Sequence, residues 1–293
     1  MNNGSWPVMR AACSTAGVEA TGAQPIRDGH GDYRLPGGVL ARVGRPGQQR
    51  AARHAVEVAR WLESAGVDAA RVVPEVRQPI TVDGRAVTFW REPPPHRPAT
   101  PAEVAVALAR LHRVPPPTGF ALGTLTPLVR LAESIDAADS VCAADRDWLR
   151  GHLAELCGRW TALPAGLPWS VVHGAPRCGS VVVTEDGTAI LLDLEQMSFG
   201  PPEWDLVHAA IECWSLARIS AAQYAEFCRG YGRDVMRWDG FYLLRDIREF
   251  RMTTLAVCAA ATHPGYQRQA LRRLACIRGD EGPRPWDGWT ELT

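Results

Sequence analysis

The residues of this chain best equipped for chemistry cluster between positions 171 and 206, VVHGAPRCGSVVVTEDGTAILLDLEQMSFGPPEWDL. A strand-like run at 170–173 ends in His173-Gly174, and two more at 181–183 and 189–193 flank the acidic turn Glu185-Asp186-Gly187. Runs rich in β-branched residues and broken by such a turn read as paired strands. The second of the pair therefore delivers the carboxylate of Asp193 at a strand end. A carboxylate there, opposite a polar loop residue such as Ser180, offers the hard oxygen donors that Mg²⁺ selects. A single aspartate is more often a solvated turn or cap residue, so the reading rests on the whole constellation and on the elements that position it.

Composition narrows the chemistry. All 32 basic residues are arginine, against 32 acidic ones, and the chain contains no lysine. That excludes Schiff-base and pyridoxal chemistry and the lysine of a Walker-type phosphate loop. A phosphorylated ligand would have to be held by arginine or by backbone N–H groups. Zero net charge argues against a nucleic-acid binder or a basic membrane-surface protein. The longest apolar runs, such as 255–261, fall far short of the roughly 20 residues of a membrane span. The opening MNNGSWPVMR has no basic segment followed by an apolar one, so no secretory signal is expected. Eight cysteines without a CxxC pair predict reduced, buried thiols in a cytoplasmic protein rather than a zinc site or a disulfide framework.

The elements around the cluster follow from periodicity and turn chemistry. Residues 1–24 lack periodicity and read as a loose lead-in. Strands are expected at 33–35 and 39–43 around Pro36-Gly37-Gly38, a helix over 48–65, and strands at 71–76 and 86–90 around the Asp83-Gly84 turn. The segment 92–98, EPPPHRP, is a stiff extended connector and divides residues 1–92 from 93–293. Beyond it, Thr100-Pro101-Ala102-Glu103 is a capping box with proline at the first helical position, opening a helix to about 114. Helices are expected at 125–137 and 143–162, and from 194 to about 279, before a polar, Trp-bearing tail. The fold class is α+β with two lobes, a small β-rich N-terminal one and a larger, mainly helical C-terminal one.

This order of parts resembles the aminoglycoside phosphotransferase and choline kinase-like family. Its active-site loop reads His-Gly-Asp, four residues, Asn, then a strand, a turn and a strand ending in a metal-binding Asp. Here His173-Gly174, Asp193, Gly200-Pro201-Pro202 and Trp204-Asp205-Leu206 fall at matching spacing. Upstream, LPGGVLAR ending in Arg42 looks like the strand carrying the phosphate-anchoring base, and Glu57 stands on the next helix as its carboxylate partner. VTFWRE, with Trp90 and Glu92, looks like the strand entering the hinge beside a nucleotide base. The likeness covers about residues 25–215 and implies a protein-kinase-like fold, ATP or GTP with Mg²⁺ as cofactors, and a small-molecule or peptide hydroxyl as acceptor. It implies that Arg42 holds the nucleotide phosphates, that Asp193 holds Mg²⁺ with Ser180, that His173 braces the loop and that Asp205 anchors it. Asp28-Gly29-His30-Gly31-Asp32 sits where a phosphate-covering loop belongs, Gly29 and Gly31 being its flexible points; an ordinary turn is the equal alternative.

Two departures bear on activity. The family's aspartate base is Ala175 here, and its asparagine metal ligand is Ser180. A methyl group accepts no proton, and Pro176-Arg177-Cys178-Gly179 supplies no carboxylate. Three readings follow. The chain is a phosphotransferase whose Asp was replaced by Ala; or a natural pseudokinase that binds nucleotide and assists or regulates a partner biosynthetic enzyme; or a fold running other chemistry through Arg177, Glu195 or Glu203. Glu203, Glu212 and Glu226 could meet a cationic acceptor but read better as a solvated helical face. Trp204, Trp214 and Trp238 could line its pocket but read better as core.

Overall fold

The computed structural model describes residues 4–26 and 31–290. Of the expected site residues only Gly29 lies outside them. The chain divides into two compact units, Met1–Gly123 with Val171–Phe199, and Thr124–Ser170 with Gly200–Thr293. The first unit contains residues on both sides of the connector at 92–98.

In the first unit an antiparallel sheet runs in the order β1 (Gln24–Pro25), β2 (Asp32–Leu35), β3 (Val39–Val43), β5 (Arg85–Arg91) and β4 (Ile80–Val82). Leu35 pairs with Val39 across Pro36-Gly37-Gly38, and Val82 with Arg85 across Asp83-Gly84. Both residues of the second turn have positive φ, 48° and 71°, the geometry for which Asp-Gly is selected. One face of the sheet carries Tyr33, Leu35, Ala41, Val43, Val87 and Phe89 into a core. α1 (Ser5–Ala16) closes that core with Val8, Met9, Ala12 and Cys13. This helix replaces the expected loose lead-in. Its apolar residues follow an i, i+1, i+4, i+5 stripe, and Gly17 (φ 67°) ends it, but Pro7 in the first turn and small residues throughout weaken the signal.

The expected strand at 71–76 is not a strand. Pro74 lacks an N–H, and the segment's backbone pairing with β5 is one isolated Val72–Trp90 bridge. α2 (Gln49–Ser64) matches its expected span and buries Ala55, Val56, Val58, Ala59 and Leu62. The proline connector ends by pairing β6 (His96–Pro98) with β8 (Val181–Thr184), which pairs in turn with β9 (Ala189–Leu191). The capping box opens α3 (Pro101–Leu111) as expected, with both reciprocal bonds made. β7 (Ser170–Val172) pairs with β10 (Ser198–Gly200), a short strand where helix was expected.

In the second unit, α4 (Leu131–Asp136) is shorter than expected because Arg130, left-handed at φ 62°, breaks the helical path ahead of it. α5 (Ala143–Thr161), α6 (Glu203–Trp214), α7 (Ala221–Tyr231) and α9 (Gln267–Arg278) accompany α8 (Phe241–Thr262), which buries Phe241, Leu244, Ile247, Phe250, Ala256 and Val257. The Trp-bearing tail is not a loose end. Trp286 and Trp289 are buried and stacked at 5.4 Å, Arg284 lies over Trp286 and binds Glu249, and Arg218 donates to the Trp289 carbonyl at 2.6 Å. All eight cysteines are free thiols. Among the described residues no helix is long and apolar enough to cross a membrane.

Candidate functional site

The site is assembled within the first unit around Arg42. The β2–β3 register places Asp32 opposite Arg42, and Arg42 Nε donates to Asp32 Oδ1 at 3.2 Å. Nη1 donates to Glu195 Oε1 at 2.7 Å, and Nη2 lies 3.8 Å from Asp193 Oδ1. One guanidinium thus faces three carboxylates. Burial would lower the pKa of Arg42, but Glu195, Asp32 and Asp193 outweigh it and raise the value above the ordinary one. The four groups sum to a net charge of −2 if all are ionised.

Asp193 and Glu195 reach Arg42 because the chain turns sharply after β9. Asp193 is left-handed at φ 54°, ψ 55°, a conformation Asp tolerates better than most residues, and residues 194–196 form one 3₁₀ turn. α2 packs on this turn, and His54 Nε2 hydrogen-bonds the Met197 carbonyl at 2.8 Å. Glu57 does not meet Arg42. It lies three residues further on, on the exposed face of α2.

The loop 173–180 is braced at both ends. His173 is fully buried; its Nε2 bonds the Leu192 carbonyl at 2.8 Å, and its Nδ1 lies 3.4 Å from the Ala175 N–H. Gly174 has φ 89°, and a Cβ there would stand 2.5 Å from the Gln196 carbonyl oxygen, so only glycine lets the loop approach the 194–196 turn. Ser180 is buried. Its Oγ accepts from Arg177 N at 2.7 Å and donates toward the carbonyls of Ala175 (3.0 Å) and Arg177 (3.1 Å). Ala175 is half-buried, while Arg177 and Cys178 are exposed.

The remaining expected residues are placed as follows. Trp90 is buried with its Nε1–H on Thr88 Oγ1 at 2.8 Å, and it stands on the same strand as Thr88, which is directly opposite Arg42. Glu92 N–H bonds the Gly38 carbonyl, and its carboxylate pairs with Arg34 at 2.7 Å. Gly31 (φ 79°) accepts Val43 N–H, and a Cβ there would stand 2.7 Å from the Val43 carbonyl oxygen, so its glycine is required by the hairpin itself. Asp205 is fully buried in the first turn of α6, in the second unit. There Arg248, stacked 4.0 Å over Trp204, is pushed by burial down to about 9, with Asp205 opposing the shift. Sequence reasoning did not single out Asp32 or His54. The hairpin contained the signal for the first: with Leu35 facing Val39, positions 32 and 42 must also face each other.

Among the described residues no cluster of three or more His, Cys, Asp or Glu could hold a metal ion. Arg42 stands among the three nearest carboxylates, and the Ser180 hydroxyl is satisfied by its own loop. The Asp193 carboxylate, 38 % exposed and 3.8 Å from its cation, keeps oxygen lone pairs available. That suits a Mg²⁺ carried on phosphates, which needs only one or two protein carboxylates, and does not suit a free-standing metal cage.

The family model described as "Phosphotransferase enzyme family" matches residues 23–242. No curated protein sequence matches the chain. Among solved structures, the amicoumacin kinase hAmiN, in complex with AMP-PNP, Ca²⁺ and Ami, is similar at TM-score 0.71 and 12 % identity, over 97 % of this chain and 96 % of that one. The microcompartment-associated aminopropanol kinase is similar at 0.67 and 18 %, over 92 % and 95 %. Choline kinase LicA from Streptococcus pneumoniae is similar at 0.65 and 13 %, over 92 % and 98 %. At these identities the likeness is one of fold, and it is the kinase-like fold that the motif order implied. The family match spans three quarters of the sequence, including Arg42, the 173–180 loop and Asp193, and the chain belongs to the phosphotransferase enzyme family.

Proposed function

We propose that the chain binds a nucleoside triphosphate, ATP or GTP, with Mg²⁺ at the Arg42–Asp193 site, and that it transfers the terminal phosphoryl group to a hydroxyl acceptor slowly or not at all. The observation that carries this is Ala175. It stands on a loop braced by His173 and Ser180, beside a retained arginine and carboxylate set, yet neither it nor the rest of the loop offers a carboxylate. Arg42 would exchange part of its carboxylate shell for phosphate oxygens, which its planar fork can bind bidentately. Asp193 would hold the metal, which when bound supplies charge neutralisation on the phosphates. Trp90 on β5 and Glu92 just beyond its end would lie beside the base. His173 holds the loop through its Nε2 bond to the Leu192 carbonyl.

Nucleotide binding without transfer suits a subunit that assists or regulates a partner biosynthetic enzyme. A second reading is favoured by the bracing of the loop: an aspartate at 175 would be correctly presented, and the chain would then phosphorylate a small-molecule or peptide hydroxyl. Calorimetry with Mg-ATP and Mg-GTP tests the shared premise. The chain is expected to bind one of them, and Arg42→Ala to abolish that binding. No heat with either nucleotide would overturn both readings.

A further inference from the structure

A cavity of about 500 Å³ opens within the second unit, lined by Trp160, Trp169, Trp238, Pro201 and the 163–168 segment. That volume is in the range of small-molecule sites, roughly 300–1,000 Å³. The walls are indole, leucine and proline. Trp238 is locked in place by an Nε1–H bond to the Ala165 carbonyl at 2.8 Å, while Trp169 is half-exposed at the edge. Immediately behind the wall stands Glu203, fully buried. Its Oε1 accepts the N–H of Leu167 at 2.6 Å, and its carboxyl group packs on Gly166 so closely that a Cβ there would lie 2.4 Å from Oε1. Its Oε2 is buried without a hydrogen-bond partner. Gly166 and Leu167, the two residues that the carboxyl group contacts, both line the cavity.

Two features act in the same direction. The faces of the indoles attract cations. A buried carboxylate with one oxygen left without a donor projects negative potential through a wall of low dielectric. The three indoles also offer flat surfaces on which a ring can stack. We infer that this cavity is a binding site for an aromatic amine, its ring among Trp160, Trp169 and Trp238 and its ammonium group toward Glu203. This site lies outside the nucleotide reading and uses none of its residues.

Calorimetry on the whole chain with phenethylamine, benzyl alcohol and phenylacetate tests it. Phenethylamine is expected to bind, benzyl alcohol more weakly, and phenylacetate not at all. Glu203→Gln keeps the acceptor for Leu167 N–H while removing the charge, and Trp169→Ala removes an edge ring that carries little of the core. Each should weaken phenethylamine at least tenfold with the melting temperature nearly unchanged, whereas Asp193→Asn should leave its binding as it was. No phenethylamine binding at millimolar concentration, equal affinity in Glu203→Gln and the parent, or loss in Asp193→Asn would each overturn the proposal.

Discussion

Glu195→Gln should tighten the binding of metal-free nucleotide. In the structure Glu195 holds Arg42 at 2.7 Å, the shortest of its three carboxylate contacts. Two unit charges at that distance attract by about 1.5 kcal/mol in a water-like dielectric and by about 6 kcal/mol at an effective dielectric of 20. The side chains are 43 % and 32 % exposed, so screening and side-chain entropy reduce the net contribution to that of an open pair, about 1 kcal/mol. An incoming phosphate must take Arg42 from this partner and also meet its negative charge. Glutamine removes both obstacles, while Asp32 still positions the guanidinium at 3.2 Å. About 1 kcal/mol returned to the ligand is about a fivefold drop in Kd. Titration with ATP in EDTA at low salt should show it, and the gain should shrink in 1 M salt, where the Debye length is about 3 Å. Unchanged or weaker binding in Glu195→Gln would refute the view that Arg42 is a phosphate anchor restrained by its carboxylates.

Other positions give independent tests. Glu249 is buried and binds the partly exposed Arg284, so Glu249→Ala, which removes a charged hydrogen bond but leaves a cation that water reaches, should destabilise the chain by about 1.5–3 kcal/mol in denaturant unfolding. Gly174→Ala should cost about 1–3 kcal/mol, because it places a side chain at φ 89° and 2.5 Å from the Gln196 carbonyl oxygen, and should also weaken nucleotide binding through the 194–196 turn. Glu103 is held down to about 2, chiefly by the hydrogen bond from Arg97 and also by the Thr100 N–H and hydroxyl. Its folded pKa lies below the unfolded one, so its stabilisation is complete above about pH 4.5 and fades as pH falls toward 2. Thr100→Ala, which breaks the cap, should cost about 1 kcal/mol by thermal unfolding and flatten that acid limb.

Features set by local rules were legible in the sequence: the Asp83-Gly84 and Pro36-Gly37-Gly38 turns, the amphipathic α2, the Thr100–Glu103 capping box and the strand pair before Asp193. Features decided by tertiary packing were not. α1 is stabilised by the sheet it covers, with Met9 and Cys13 in one core with Tyr33 and Phe89, and its small residues carry too little pattern to announce it. The 71–76 run has strand composition, but Pro74 and a single bridge leave it irregular. For the site, motif order singled out Arg42, the 173–180 loop and Asp193 and expected Glu57 as the carboxylate partner of Arg42, where the structure has Asp32 and Glu195. Glu57 stands on the exposed face of α2, whereas Asp32 and Glu195 arrive through a hairpin register and a left-handed residue, which spacing along one helix does not reveal. Ser180 illustrates the same point: its residue type suggests a metal donor, but its bonds commit it to the loop.

The most direct test of the account is nucleotide turnover by Ala175→Asp, measured as ADP or GDP release with Mg²⁺ beside nucleotide affinity for both proteins. A positioned base is worth roughly 10²–10⁴-fold in rate. The two proteins are expected to bind nucleotide equally, and Ala175→Asp to turn it over at least about a hundredfold faster. Equal turnover by the two proteins would contradict this expectation.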